Sequence, residues 1–318
     1  MTRLIALFLL LTVSLRGQQR PTYSLYFENL TNINPGYVGL DNSLSITGVV
    51  RNQWIGILGN PKQQVITAHM PYDLVNGGLG IIFESDQTGL RKDTRTSIQY
   101  SYYLTSSTEQ SLSVGLGVGF YQRTIDGNGY RTPSGQYSDG SPFNHNDQIL
   151  SLQQENATAI FVDFGMYYRS RGWEGGLSIT NLNAPIADVN DYSFTFERTL
   201  HLYGRYYHEL NSKFGLIGNA ALLSNLEQHQ ILINTGLQIN ENIMLGIGVR
   251  GITEIDALML QGGIKLNDQW KLFYGYDSGI SSFSNSLGGS HEIGLNFNIN
   301  KRIGGGVPPR IIYSPRFL

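Results

Sequence analysis

The sequence predicts an all-β fold, namely a transmembrane, antiparallel, up-and-down β-barrel of about 14 strands with long extracellular loops and short periplasmic turns. Short segments alternate apolar and polar residues, and the gaps between them alternate between long and short. Only 14% of the residues are charged, whereas soluble proteins carry roughly 25%. Because successive side chains of a strand point to opposite faces, one face would contact lipid and the other would face the lumen.

Residues 111–120 show the alternation most clearly. Leu112, Val114, Leu116 and Val118 fall on one face, and small or polar residues fall on the other. The same criterion predicts fourteen strands, with a twelve-stranded barrel as the alternative. The predicted strands are 43–51, 62–71, 77–85, 94–104, 111–122, 157–169, 173–181, 197–208, 213–224, 229–239, 243–250, 257–266, 270–277 and 291–299.

The connections indicate the orientation of the barrel. Those after even-numbered strands are short, whereas three of those after odd-numbered strands are long and polar, at 123–156, 182–196 and 278–290. Outer-membrane barrels have short periplasmic turns on one rim and longer loops on the outside. An even number of strands then leaves both ends of the barrel in the periplasm.

The first residues form a separate element. Arg3 precedes an apolar run from Leu4 to Leu15, and the small residue Gly17 follows. This pattern is typical of a secretory signal peptide, and the run is shorter than the roughly 20 residues of a spanning helix. We therefore predict a signal peptide at residues 1–17 and a periplasmic lead-in at 18–42. The outer-membrane barrel would follow at 43–299, and a periplasmic C-terminal tail at 300–318.

Charged residues in the predicted strands mostly fall opposite the apolar face. A charge facing lipid at mid-membrane would cost about 2–4 kcal/mol, so we expect these side chains to face the lumen. They would either line a permeation path or neutralise one another in a filled lumen, and the interleaving of both signs favours neutralisation. The residues are Asp163, Glu174, Arg205, Arg250, Lys265, Lys271, Asp277 and Glu292.

Two motifs are candidate sites. The first lies in the predicted outer loop between strands 1 and 2. It would either bind a partner or narrow the lumen, or it would be a purely structural corner with a Trp at the membrane interface. It comprises Arg51, Asn52, Gln53, Trp54 and Pro61. The second motif, His291 and Glu292, opens the last strand, and we expect it to take part in barrel closure rather than in a metal site.

Enzyme, cofactor and nucleic-acid signals are weak. The net charge is −2 and there is no cysteine, so neither a broad basic surface for nucleic acid nor a thiolate metal site is expected. The glycines that follow Gly115 lie inside a strand rather than in a phosphate-binding turn. The Asp126–Asn128 segment lacks the ligand series of an EF-hand. We expect a non-enzymatic protein without a cofactor or a metal.

Three segments resemble the PorP/SprF family of outer-membrane proteins, which accompanies the type IX secretion and gliding machinery of Bacteroidota. They are YFENLTNINPGYVG (26–39), SITGVVRNQWIGILGNPKQQVITAHMPY (45–72) and SLGGSHEIGLNFNI (286–299). The resemblance implies a cell-surface barrel in the outer membrane, with membrane lipid, secreted adhesin-type proteins and periplasmic or outer-membrane secretion proteins as partners. Residues 123–200 contain no motif that matches the family.

Three functions remain open at this point. The first is a barrel that anchors or supports surface delivery of secreted adhesin-like proteins. The second is an outer-membrane channel or transporter for small solutes, which needs a continuous path through the lumen. The third is a secreted soluble β-protein whose apolar faces pack against each other.

Overall fold

The computed structural model describes residues 22–107, 110–137, 144–146, 152–189, 192–251, 255–280, 288–301 and 303. Fourteen antiparallel strands form a closed barrel, and two further strands form a separate hairpin. The barrel strands are β1 Ser45–Asn52, β2 Lys62–Tyr72, β3 Gly77–Thr88, β4 Arg91–Ser106, β5 Gln110–Asp126, β6 Gln154–Ser170, β7 Trp173–Thr180, β10 Thr199–Asn211, β11 Phe214–Ser224, β12 His229–Ile239, β13 Ile243–Gly251, β14 Ile255–Lys265, β15 Trp270–Gly279 and β16 Ser290–Asn298. The hairpin strands are β8 Ile186–Val189 and β9 Tyr192–Thr195.

The fold confirms the predicted all-β barrel and its fourteen strands, and excludes the twelve-stranded alternative. Strands β4, β5 and β6 run beyond their predicted ends, because backbone pairing continues where the apolar alternation stops; Asp126, for example, pairs with Gln154. The β8–β9 hairpin lies within the predicted loop 182–196 and was not predicted. Its strands are only four residues long.

The outer surface of the barrel is apolar over a band and polar beyond it. On β5, Leu116, Val118 and Phe120 are exposed, and the next residue on the same face is the exposed Gln122. The intervening positions are glycines, whose lack of a side chain leaves room inside the barrel. This arrangement matches a wall with lipid outside, as the alternation predicts.

No helix among the described residues is long and apolar enough to cross a membrane.

Two rims are distinguished by their connections. The short-turn rim carries residues 73–76, 171–172 and 212–213, whereas the long-loop rim carries 53–61, the described residues of the connection between β5 and β6, and the connection that contains the β8–β9 hairpin. One connection on the long-loop rim is short, since only residues 89–90 join β3 to β4, so the alternation of long and short connections is not complete. Strand β1 pairs with both β2 and β16, so the sheet closes on itself.

Residues 22–44, here called the luminal segment, run through the inside of the barrel. Thr22 donates a hydrogen bond to Gln230 near the long-loop end of β12, at 2.7 Å. At the other end, Ser43 donates to Asn298 at the short-turn end of β16. The segment consists of irregular chain with three short 3-10 turns, Tyr26–Glu28, Leu30–Asn32 and Pro35–Tyr37.

The position of the luminal segment differs from the periplasmic lead-in that we expected at 18–42. Its residues from Asn29 to Leu40 are all buried, and Tyr26, Leu30 and Tyr37 form a core with inward side chains of the wall. The apolar residues of the segment are therefore removed from water inside the barrel. The predicted signal peptide 1–17 and nearly all of the predicted tail 300–318 lie outside the described residues.

The lipid-facing band leads to a first prediction. Leu116→Arg places a charge at the middle of the apolar face of β5, so the free energy of unfolding in lipid vesicles should fall by about 2–4 kcal/mol. Gln122→Arg, on the same face but beyond the band, is the matched control and should change it little. Urea titration of both variants measures the difference, and equal effects would contradict the proposed lipid face.

Candidate functional site

An ion cluster joins the barrel closure to the luminal segment at the long-loop end. Arg51 pairs with Glu292 across β1 and β16, and its Nη2 lies 2.9 Å from Asp277 Oδ2. The backbone N–H groups of Ser24 and Leu25 donate to the two carboxylate oxygens of Glu292, at 2.6 and 2.8 Å. One carboxylate of the last strand therefore holds both the first strand and the segment inside the barrel.

A second cluster holds the middle of the segment. Arg205 on β10 lies 3.1 Å from Glu28 of the luminal segment and 3.4 Å from Glu174 on β7. Its Nε donates to Asn219 on β11 at 2.7 Å, and its guanidinium lies over the Phe27 ring, 5.2 Å from the centroid. A single buried arginine thus connects three strands to the segment.

A third cluster lies on strands β3, β4 and β6. Arg95 on β4 pairs with Asp163 on β6 and lies over the Phe161 ring, 4.4 Å from its centroid. Tyr23 of the luminal segment donates to Glu84 on β3 at 3.2 Å. Each of these arginines is therefore paired with carboxylates of the lumen, so the predicted mutual neutralisation describes the inside of the barrel better than a charged permeation path.

Glycines of the wall allow the segment to approach closely. Asn34 donates from Nδ2 to the Met166 carbonyl at 2.8 Å and to the Tyr203 hydroxyl at 2.9 Å. A Cβ on Gly115 would overlap the backbone of Pro35, and one on Gly165 would overlap the Asn34 side chain. Gly115 on β5 and Gly165 on β6 therefore form a docking surface for the segment, because glycine lets another part of the chain approach the backbone closely.

Wall serines satisfy carbonyl groups of the segment. Ser101 donates to the Val38 carbonyl at 2.6 Å, Ser113 to that of Gly36 at 2.5 Å, and Ser178 to that of Ile33 at 2.6 Å. Sequence reasoning missed these residues as a site. The sequence shows only that Ser and Gly residues alternate with the apolar face of the strands. This pattern does not indicate which part of the chain these residues contact.

The first candidate motif is divided between the lumen and the rim. Arg51 is 1% exposed and points inward, whereas residues 53–61, here called the rim loop, stand at the long-loop rim. The Gln53 N–H donates to the Pro61 carbonyl at 2.9 Å, which closes the loop. Asn60 donates to the side chain of Asn52 and, at 2.7 Å, to the Gln53 carbonyl.

The rim loop is fixed to the neighbouring connection and exposes apolar side chains. The Ile55 N–H donates to the Gly289 carbonyl at 3.2 Å, and the Trp54 N–H donates to Ser290 Oγ at 3.3 Å. Trp54 has a φ of 53°, in the left-handed region. Leu58 is fully exposed, and Trp54, Ile55 and Ile57 are exposed as well.

The second candidate motif lies in the pairing that closes the barrel. His291 is opposite Asn52, and Glu292 is opposite Arg51. His291 Nδ1 lies 2.7 Å from the hydroxyl of Tyr274 on β15. Within the described part of the chain, no three His, Cys, Asp or Glu residues are grouped as metal ligands.

A cavity of about 110 Å³ remains between the luminal segment and the wall near the long-loop rim. Tyr23, Tyr26, Arg95, Tyr121 and Phe196 are among its lining residues. The hairpin connection narrows it, since Phe196 stacks on Tyr121 with ring centroids 4.1 Å apart. Asn32 and Ile33 of the luminal segment are also among its lining residues.

The close approach at Gly115 leads to a second prediction. Gly115→Ala forces the Pro35 backbone away, so the free energy of unfolding should fall by about 1–3 kcal/mol, as in overpacked cores. Gly48→Ala is the control, because no atom lies within 4 Å of a Cβ at that position. Thermal unfolding in detergent, combined with proteolysis of the luminal segment, tests this. An unchanged Gly115→Ala protein would contradict the docking of the segment.

The ion cluster at the closure leads to a third prediction. Arg51→Met takes the cation from Glu292 and leaves Asp277 with Arg250 alone, so we expect the free energy of unfolding to fall by about 3–5 kcal/mol. Arg51→Lys keeps a positive charge beside both carboxylates and should lose clearly less. Urea unfolding of the two variants measures the difference, and an equal loss in both would refute the pairing argument.

Comparison with known proteins places this barrel in a family. The model of the family described as type IX secretion system membrane protein PorP/SprF matches residues 15–297. No curated protein matches the chain.

Solved structures resemble the barrel at very low sequence identity. The CymD monoaromatic hydrocarbon channel is 10% identical, with 82% of this chain and 89% of that chain covered and a TM-score of 0.50. The toluene transporter TbuX of Ralstonia pickettii is 9% identical, with coverage of 83% and 90% and a TM-score of 0.48. Omp33 of Acinetobacter baumannii is 5% identical, with coverage of 81% and 98% and a TM-score of 0.45.

These structural similarities concern the fold alone, whereas the family match covers most of the sequence and agrees with the resemblance found in its motifs. The closed fourteen-stranded barrel with an apolar outer band fits that assignment. The chain is an outer-membrane β-barrel that belongs to the PorP/SprF family of type IX secretion system membrane proteins.

Proposed function

We propose that this barrel is a non-enzymatic component of type IX protein secretion that anchors secreted adhesin-like proteins or supports their delivery to the cell surface. The filled lumen is the observation that carries the proposal. A solute channel needs a continuous path, whereas an anchor works with a closed interior. Residues 29–40 are buried without interruption inside the barrel, which favours the anchor.

The attachment of the luminal segment to the wall strengthens this argument. Opening a path would break the contacts of Glu292 with Ser24 and Leu25 and those of Asn34 with Met166 and Tyr203. Each lost hydrogen bond would cost about 0.5–1.5 kcal/mol net, because water in the open path would replace the partner. The segment therefore acts as part of the core.

The rim loop offers a surface for a partner on the cell exterior. Leu58 and Ile55 project from a loop that hydrogen bonds hold to its neighbour at Gly289. Clustered apolar side chains above the lipid band are characteristic of protein interaction sites. In this proposal, the rim loop contacts a terminal domain of the secreted protein, together with the polar segments predicted as outer loops at 123–156 and 278–290.

The short-turn rim offers a second surface, toward the periplasm. Leu74, Leu210 and Leu266 are exposed at or beside its turns. We assign this rim to contacts with periplasmic or outer-membrane proteins of the secretion machinery, since it lies on the side from which secreted proteins arrive.

A channel for small solutes is the alternative function. The cavity near the long-loop rim favours it, because Tyr26, Tyr121 and Phe196 give that cavity an aromatic lining. In that case the luminal segment would have to move during transport. Steady conductance of the purified barrel in planar bilayers would support this alternative.

The fourth prediction tests the anchor. An affinity tag on the C-terminus should recover a large secreted protein from detergent-solubilised outer membranes. Leu58→Asp should lower this recovery several-fold without affecting folding, because the side chain is fully exposed. Leu226→Asp is the matched control, since Leu226 is 78% exposed on the β11–β12 loop of the same rim.

The outcomes separate the two functions. Equal recovery of the secreted protein with Leu58→Asp and Leu226→Asp would show that the rim loop does not contact the partner. A barrel recovered alone that also conducts steadily would replace the anchor with the channel.

A further inference from the structure

Strand β6 extends well beyond the end of its neighbour β7. Their pairing begins at Phe164, opposite Ile179, and continues to Ser170, opposite Trp173. On its other side β6 pairs with β5 along its full length, up to Gln154 opposite Asp126. The outer part of β6 therefore has a strand partner on one side only.

The residues that follow β7 bind the part of this edge that lies next to β7. The Leu182 N–H donates to the Val162 carbonyl at 2.7 Å. The Asn183 side chain then accepts from the Val162 N–H at 3.0 Å and donates to the Ile160 carbonyl at 2.8 Å. An amide side chain thus substitutes for a strand backbone. Beyond Ile160, no residue in the described ranges forms a backbone pair with this edge.

The direction of the unpaired groups follows from strand geometry. Both the N–H and the C=O of Val162 point to this edge, and alternate residues of an antiparallel strand point the same way. The backbone groups of Gln154, Asn156 and Thr158 therefore face outward, away from β5. The residues between them point their backbone groups toward β5.

The edge lies in water at the long-loop rim. Phe120 and Ile160 form the last apolar pair on the outer face of β5 and β6, and the next pair is Gln122 with Thr158. The side chains of Gln154, Asn156 and Thr158 are exposed. The inner face is covered instead, because Ala157 and Ala159 pack in a cluster with residues of the hairpin connection.

We propose that this edge, Gln154–Ile160, binds an extended segment of the secreted protein as an added β-strand. Unpaired N–H and C=O groups in strand spacing are complementary to another extended backbone, which is the basis of recognition by β-strand addition. The inference rests on the proposed function, which supplies the secreted protein on this side of the membrane. It adds a second contact to that of the rim loop.

Proline substitutions test the edge and form the fifth prediction. Asn156→Pro and Thr158→Pro each remove an outward N–H but keep the pairing with β5, because proline is tolerated where the N–H faces solvent. Recovery of the secreted protein with the tagged barrel should fall about tenfold in the double variant, as expected for two lost hydrogen bonds. Asn156→Ala with Thr158→Ala is the control, which keeps both N–H groups and should bind as the unchanged protein does.

A cross-link gives an independent readout. The chain contains no cysteine, so Thr158→Cys introduces a unique thiol on the edge. A short cysteine-to-amine cross-linker should join it to the secreted protein, whereas Leu226→Cys, exposed on the β11–β12 loop of the same rim but away from β6, should give much less product. The heat-dependent migration of each variant on gels shows whether its barrel has assembled.

Each outcome decides a separate question. If the unchanged barrel recovers no secreted protein, the proposed function fails and this inference fails with it. If the unchanged barrel recovers the secreted protein, and proline variants that have assembled recover the same amount, only the edge inference is overturned. Equal losses in the alanine and proline variants would assign binding to the side chains and also overturn it.

Discussion

The carboxylate of Glu292 is the contact on which the closed and filled state of the barrel depends. It forms an ion pair with Arg51 of the first strand and accepts hydrogen bonds from two backbone N–H groups of the luminal segment. A buried carboxylate is costly unless it is paired and hydrogen bonded. Here one residue meets that requirement only if the sheet is closed and the lumen is occupied, so the two features stabilise each other.

The same constraint explains the composition of the inner wall. Glycine, serine and charged residues share that face, and each type contacts the luminal segment in a different way. Gly115 admits the Pro35 backbone, Ser113 satisfies the Gly36 carbonyl, and Arg205 pairs with Glu28. The inner face is therefore a binding surface for a segment of its own chain.

The fold could be predicted from the sequence because lipid imposes a period of two on every strand. That constraint is local, so the alternation around Leu116 indicates a strand without knowledge of the rest. The ends were less predictable, since β6 remains paired at Gln154, where the outer face is already polar. The β8–β9 hairpin has strands too short for alternation to show.

The position of the luminal segment could not be predicted, because it depends on contacts between residues far apart in the chain. Asn34 contacts Met166 and Tyr203, and no local pattern relates these residues. Asn34, Pro35 and Gly36 belong to the segment 26–39 that resembles the family, but its sequence does not indicate a location inside the barrel. The role of Arg51 was missed for the same reason, because its partners are on β15 and β16.

The direction of the luminal segment has a consequence for assembly. It runs from Thr22 near the long-loop rim to Ser43 at the short-turn rim, antiparallel to β1, which follows it. The N-terminal part of the segment must therefore reach the long-loop end of the lumen, on the far side from the turn that leads into β1. The contacts of Glu292 with Arg51, Ser24 and Leu25 exist only when β16 is in place, so closure of the sheet and fixing of this end of the segment become a single step. An open sheet without β16 would hold the segment only through its contacts with the other strands, such as that of Arg205 with Glu28.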